Sequence, residues 1–504
     1  MNVPNSLRDV RAFTLLILFL ALAAFLPAVA GPDPNSPSKP DFSNVRRFIQ
    51  EQLVATTVPS MSVAVARNGT ILWEEGFGWA DRENRVQATE HTMYYTASVT
   101  KSFTDTAIMI LHESKKLDLD RPVNDYLSTA KLTSTAFNPA DATIRRVANH
   151  MAGLTTFNPT NQYPVEEMIR RYGVLFWPPG ERFDYSNFGP IVLEEVIARA
   201  SAQTYADFMR NEVFWPLGMT RASIAVPPSL EKYVAKRYNL VLGLRPAVTT
   251  GVSCSAHDLL LFGMFHLKEH LPNQKAILSD ASIDAMQNDT VDTGRGSRYG
   301  FAWWVEENRF GFRSVLSQGG TDADQAWLRL IPSERIAVVA LCNAGHGALP
   351  ETVVDKILAT LLPSYVEDRM KQDTSRQSSS DAKLPSTLLG EWKGFIRTYR
   401  GEIPLTFSSK ELGDIHVKLG SQPETVLNNP RFKEGKLRGH SSGDLAVDDD
   451  AGHGYSLDFE LVLRDGKLQG AAVTRASARL PFWTELKKVT TFDTTSQPQS
   501  AVRQ

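Results

Sequence analysis

The feature that most constrains this chain is a helix-rich middle bracketed by strand-like runs at both ends. "SMSVAVARNGTILWEEGFGWAD" reads as two strands joined at Asn68-Gly69, a dipeptide suited to the positive φ angles of a tight hairpin. Much later, "YGFAWWVEE", "FRSVLSQGG", "QAWLRLIP" and "RIAVVALCN" follow one another with short turns between them, as successive antiparallel strands do. Between these groups, Ser98–Glu113, Ile191–Met209 and Ala256–His266 carry apolar residues at helical spacing. The predicted fold is α+β: one antiparallel sheet built from the opening hairpin and the late strands, flanked by helices, with an added helical region.

The chain then changes character. Residues 371–385, within "KQDTSRQSSSDAKLPS", are polar and poor in aromatics and read as a linker closing a domain at 45–370. Beyond it, "GEWKGFI", "GEIPLTFSS", "DIHVKLG", "KLRGHS", "SLDFELVLRDGKLQGAAVTRAS" and "FWTELKK" predict short strands with a hairpin turn at Asp465-Gly466. Residues 386–490 are therefore expected to form a small all-β barrel or sandwich, and 491–504 a disordered tail. At 504 residues and 42% hydrophobic, the chain has material for both cores.

Charge excludes one partner class, since 54 basic against 56 acidic residues leave no polybasic footprint for nucleic acid. At the other end, Arg8 and Arg11 precede an apolar run from Ala12 to Leu26, and "PAVAG" supplies small residues. Residues 1–30 read as a signal peptide and 31–44 as a linker, placing the mature chain in the periplasm or outside the cell without a stable membrane span. The run is about 15 residues, short of the roughly 20 that a spanning helix needs, and an uncleaved anchor is the alternative. Cys254 and Cys342 lie in apolar-flanked elements and are expected as buried, unpaired thiols.

Three elements carry possible chemistry. Ser98 and Lys101 would lie one turn apart on a helix face, where an amine can take the proton of an otherwise weak hydroxyl nucleophile. That spacing also occurs at Ser36/Lys39, Ser128/Lys131, Ser229/Lys232 and Ser380/Lys383, so it is equally the pattern of a helix N-cap and a solvated lysine. Tyr185-Ser186-Asn187 sits in a Gly/Pro-rich loop before a helix; the phenol can share proton transfer and the Asn187 amide can steady Lys101 and a substrate carbonyl. Gly319-Gly320 ends a strand, where the Gly320 amide can join that of Ser98 in an oxyanion hole. Each element alone has a bland counterpart: a packed loop tyrosine with a capping asparagine, and a turn or bulge.

Taken in order, these elements resemble the serine β-lactamase and penicillin-binding-protein superfamily, most closely its class C β-lactamase-like branch of esterases and D-stereospecific peptidases. "GFGWADRENR", "NHMAGL", "WPPGERFDYSN", "VFWPLGMT" and "TTGVSCSAHDLLLFG" extend the resemblance over roughly residues 45–365. It implies a β-lactamase/transpeptidase-like fold, Ser98 as acylated nucleophile, Lys101 as its base, Tyr185 as second acid/base and Asn187 as substrate-orienting neighbour. It implies no metal or organic cofactor, and a small-molecule or peptide substrate.

The third motif departs from the family pattern. Ser317, followed by Gln318 and Gly319, stands where relatives carry lysine or histidine, so Ser317, Gln318, Gly319 and Gly320 are expected to line a substrate site suited to a neutral ester or amide more than to a carboxylate-bearing β-lactam. The alternative is a catalytically weakened ligand-binding or sensor homologue. The β segment resembles the lipocalin-like modules appended to some of these hydrolases. Oligomeric state is left open.

Overall fold

A computed structural model describes residues 40–155, 163–246, 250–365, 385–409, 414–433, 435–447, 456–474 and 479–489. The expected signal peptide, the expected linker at 371–385 except for Pro385, and the expected tail at 491–504 lie outside the described residues. The first helix, α1 (Ser43–Thr56), starts two residues inside the stretch expected as a linker.

The opening hairpin forms as β1 (Ser60–Arg67) and β2 (Thr70–Asp81), with Asn68 and Gly69 at φ 52° and 73°. Of the later elements, α2 (Thr100–Glu113), α3 (Phe188–Ser201) and α4 (Ala256–His266) form the helical middle. Then come β3 (Trp304–Arg309), β4 (Phe312–Gly320), β5 (Gln325–Ile331), β6 (Ile336–Cys342) and α5 (Leu349–Leu361). Helical spacing at 191–209 predicts one helix, but the chain breaks at Ala202, which turns left-handed at φ 55°, and Thr204 caps a new short helix.

Among the described residues, β1 pairs with both β2 and β6, so the opening hairpin and the last of the late strands meet inside one nine-stranded antiparallel sheet. β6 is buried at every position because both faces are covered. The strand period of two divides its side chains: Val338 and Ala340 face the core shared with α1 and α5, whereas Val339 and Leu341 face the core that contains α2, α3 and α4. Cys254 and Cys342 are both buried and unpaired.

A second nine-stranded antiparallel sheet runs from Gly390–Thr398 to Pro481–Lys488. It is a meander whose first and last strands pair, Trp392 opposite Lys488, which curls it into a nearly closed barrel. Its open edges, Thr425–Val426 and Asn428–Lys433, are neighbours in sequence. Asp465 and Gly466 take φ 48° and 72° at the expected turn. Alternation puts Ile415, Val417 and Leu419 inside.

The barrel packs on the segment that leads into Tyr185. Phe176 and Trp177 form an apolar cluster with Ala471, Val473 and Trp483. Gly470 is needed there: a Cβ would stand 3.1 Å from Trp177 and 2.1 Å from the Glu460 carbonyl. Beside the cluster, Arg182 bonds Glu460 at 2.9 Å and Arg464 bonds Glu181 at 2.6 Å. Trp177 is 2% exposed. Trp177→Ala is therefore expected to cost about 3–5 kcal/mol in urea unfolding; a loss below about 1 kcal/mol would show that the cluster collapses without it.

Candidate active site

The turn bearing Ser98 is clamped before any chemistry is considered. Tyr94 and Tyr95 belong to a short strand that pairs with Ser253–Ser255, and the Tyr94 hydroxyl lies 3.1 Å from both Ser60 Oγ and Ser62 Oγ. Thr96 donates from its amide and its hydroxyl to the Val252 carbonyl, at 2.9 and 2.8 Å. The Thr100 hydroxyl accepts from the Val252 amide at 2.9 Å. Between these two threonines Ala97 is held at φ 49°, a strained conformation for a residue with a Cβ, and Ser98 sits in a 3₁₀ turn just ahead of α2.

Strand β4 lies against this turn. A Cβ on Gly319 would stand 2.3 Å from the Thr96 carbonyl and 2.5 Å from the Ser98 amide nitrogen, so only glycine lets the strand end approach the Ser98 backbone. Gly320, next along, is exposed. Gly319 is thus the contact surface for the Ser98 turn.

Lys101 points back from the first turn of α2. Its Nζ donates to Ser98 Oγ at 3.0 Å and to Asn187 Oδ1 at 2.8 Å, and lies 4.9 Å from the centre of the Tyr185 ring. Asn187 is not spent as the cap of α3. Ser186 does that work, its Oγ accepting from the amides of Phe188 and Gly189 at 3.1 and 3.2 Å. The structure therefore brings Ser98, Lys101, Tyr185 and Asn187 together, although 86 positions separate Lys101 from Asn187.

Behind them lies a buried polar layer that sequence reasoning missed in part. His150 Nδ1 accepts from the Ser186 amide at 3.2 Å, so its Nε2 carries the proton and donates to the Tyr299 hydroxyl, also at 3.2 Å. Burial, reinforced by the charge of Lys101, lowers the His150 pKa well below the ordinary histidine value, and the ring stays neutral. Burial raises Asp105, one turn beyond Lys101, well above the carboxylate range, and its Oδ2 has no partner among the described residues. Burial likewise keeps Tyr299 protonated. Trp304 stacks on Tyr185 at 5.9 Å and 21°. Tyr299 and Trp304 come from "YGFAWWVEE", whose alternation signals strand core and does not distinguish a ring that walls a site; Asp105 looks like any polar helix residue.

The third motif differs from the expected picture. Gly319 lies against the Ser98 backbone, Gly320 is exposed and Gln318 is half-buried, but Ser317 does not open on a substrate site. It is 2% exposed, with its Oγ 2.6 Å from Ser102 Oγ. Ser102 donates its single hydroxyl proton to the Ala302 carbonyl at 3.0 Å, so the Ser317 proton is committed to Ser102. Side chains alternate along β4, and position 317 faces inward. The nearby Arg237 does not supply the missing cation, because Asp324 holds it at 2.6 Å.

The Beta-lactamase family pattern matches residues 45–360. The chain belongs to the beta-lactamase family. It is 24% identical over 328 residues to Protein flp of Staphylococcus aureus (strain N315), covering 61% of this chain and 64% of that protein, less than two thirds of its length. Its fold is similar to the octameric penicillin-binding protein homologue from Pyrococcus abyssi, with TM-score 0.59 and 22% identity, covering 89% of this chain and 100% of that one. A class C beta lactamase from Rhodobacter sphaeroides is similar over 64% of this chain and 100% of its own, with TM-score 0.54 and 20% identity. The beta-lactamase assignment covers the first sheet and its helices; the likeness to the Pyrococcus protein extends further along the chain.

Two outcomes follow from the site. Gly319→Ala forces the strand and the Ser98 turn apart and is expected to cost about 1–3 kcal/mol in thermal or urea unfolding, whereas Gly320→Ala, with no atom nearer than 3.6 Å to the added Cβ, is expected to be near neutral. His150 has a lowered pKa in the folded state, so the unfolded chain takes up its proton first, and the stability the neutral ring contributes is lost as pH falls below about 6.5. An imidazole NMR titration should find the His150 midpoint well below the ordinary histidine value; a midpoint near the ordinary value would contradict its burial.

Proposed function

We propose that this beta-lactamase family member is an exported serine hydrolase that forms an acyl-enzyme on Ser98 and hydrolyses an ester or amide bond that is neutral close to the scissile carbonyl. The observation that carries this reading is the position of Lys101 Nζ, in hydrogen-bond reach of Ser98 Oγ at 3.0 Å and fixed by Asn187 at 2.8 Å. With its amine unprotonated, Lys101 takes the Ser98 proton as Oγ bonds to the substrate carbonyl carbon. The amides of Ser98 and Gly320 then receive the oxyanion. The carbon–leaving-group bond breaks as the leaving group takes a proton through Lys101 or Tyr185, leaving acyl-Ser98. Water attacks the ester, gives its proton to the same pair, and releases the acid and the Ser98 hydroxyl.

Preference for a neutral group beside the reacting bond rests on the third motif. Ser317 is turned inward to Ser102, and Arg237 is neutralised by Asp324, so neither presents a free cation to a substrate carboxylate. The apolar run at Ala12–Leu26 supports export. The same inward Ser317 favours a second reading, a binding or sensor homologue that recognises a ligand without turning it over.

Intact mass after exposure to a fluorophosphonate and, separately, to a penicillin separates these readings. A fluorophosphonate adduct absent from Ser98→Ala is expected, with little or no penicillin adduct; folded protein that takes neither label would favour the binding homologue. Lys101→Ala is expected to slow ester turnover by about 10²–10⁴-fold, and a change below about tenfold would remove Lys101 from the proton-transfer role.

A further inference from the structure

A cavity of ≈ 820 Å³ lies between the barrel and the segment that leads into Tyr185, within the roughly 300–1,000 Å³ typical of ligand sites. Neither Ser98 nor Lys101 lines it, yet it shares a wall with the site. Phe183, in its lining, lies 5.9 Å from Trp304, and Trp304 stacks on Tyr185. The barrel contributes the opposite side through Lys436, Arg438, Asp458, Glu460 and Arg479.

The charges in this lining do not cancel. Every carboxylate has a donor. Glu181 is held by Arg464, which lies outside the lining; Asp184 and Glu460 share Arg182, and Glu460 also pairs with Arg438 at 3.1 Å; Arg479 faces Asp458; and Asp292 accepts the Gly294 amide. Five cations line the cavity against five carboxylates, and with Glu181 neutralised from outside, the balance is positive by one. Arg295 accounts for the surplus, because its guanidinium has no partner among the described residues. A tight hairpin tip presents it. Gly294 and Gly296 on either side take φ 68° and 79°, and Thr293 closes the turn on the Ser297 carbonyl through its hydroxyl at 2.8 Å. An arginine left without a counter-ion at the lip of a charged cavity offers a planar fork to an incoming carboxylate.

We infer that the cavity is a remote subsite that takes a carboxylate-bearing end of the substrate, with Arg295 as its contact; Arg438 on the facing barrel strand is already paired with Glu460 at 3.1 Å. Anion recognition thus sits on the far side of the Phe183–Trp304–Tyr185 wall instead of at Ser317. The barrel completes the substrate site, and the substrate class narrows to acyl donors that are neutral at the scissile bond and anionic some distance away. This inference rests on the hydrolase reading above.

The test is equilibrium binding of triglutamate to the full-length Ser98→Ala protein by calorimetry, beside trilysine and a triglutamine control of similar shape. Triglutamate alone should bind, with affinity falling several-fold as ionic strength rises from about 0.05 to about 0.5 M. Arg295→Gln should weaken binding about tenfold, and Arg295→Lys, which keeps the charge but loses the fork, by less than that. The Arg295 side chain holds nothing else in place, so the substitution tests the charge and not the fold. Equal binding of triglutamine, no binding of triglutamate, or an Arg295→Gln protein that binds as well as its parent would each overturn the subsite. Fluorophosphonate labelling of the wild-type chain is measured in parallel. Labelling without triglutamate binding removes the subsite and leaves the hydrolase; Arg295-dependent binding without labelling keeps the subsite and removes the hydrolase.

Discussion

An amine brought into a site where Lys101 is 7% exposed sets the terms for everything around it. Its partners are oxygen atoms that do not cancel its charge, Ser98 Oγ and Asn187 Oδ1, together with the face of the Tyr185 ring. Titratable neighbours are held in their uncharged forms: His150 unprotonated, Asp105 and Tyr299 protonated. An ionised Asp105 one turn away would pair with the ammonium and draw it from Ser98; a charged His150 would repel it. Burial of this layer therefore does more than fill space. It leaves Lys101 with the nucleophile and the amide as its hydrogen-bond partners.

The scaffold supports that arrangement from three directions. Val252 clamps Thr96 and Thr100 around the turn of Ser98, β4 brings Gly319 against its backbone, and His150 holds the amide between Tyr185 and Asn187. The barrel adds a fourth support through Trp177 and the ion pairs of Arg182 and Glu181. A loop that would otherwise be free to move is thus fixed at its start by one sheet and at its end by α3.

Much of this was legible in the residues. The Asn68-Gly69 and Asp465-Gly466 turns, the bracketing strands and α4 follow from local chemistry, because positive φ and period-two or period-3.6 burial leave marks within a few positions. Ser98, Lys101, Tyr185 and Asn187 could be nominated because two short motifs, taken together and in order, carry a recognisable pattern. What could not be read is set by contacts distant in sequence. The break at Ala202 leaves the apolar spacing intact and changes only the backbone; Asp105 gains its character from what surrounds it; and Trp304 becomes a site wall because the loop carrying Tyr185 folds across it. The inward turn of Ser317 depends on which face of β4 meets α2, and a side-chain list does not carry that register.

The Ser317 substitution is consequently more than the loss of one cation. Its hydroxyl continues a buried chain through Ser102 to the Ala302 carbonyl, at 2.6 and 3.0 Å, and Ala302 itself sits left-handed at φ 58°. A lysine at 317 would remove the donor to Ser102 and bring a second ammonium beside the residue next to Lys101. The carboxyl on that stretch of α2 able to balance it, Asp105, is held protonated by burial. A chain that keeps this uncharged, buried layer around Lys101 is better served by recognition of substrate charge elsewhere. The cavity walled by Phe183 and the barrel lies on the far side of the aromatic screen formed by Trp304 and Tyr185, where an arginine can meet solvent and ligand outside that buried layer.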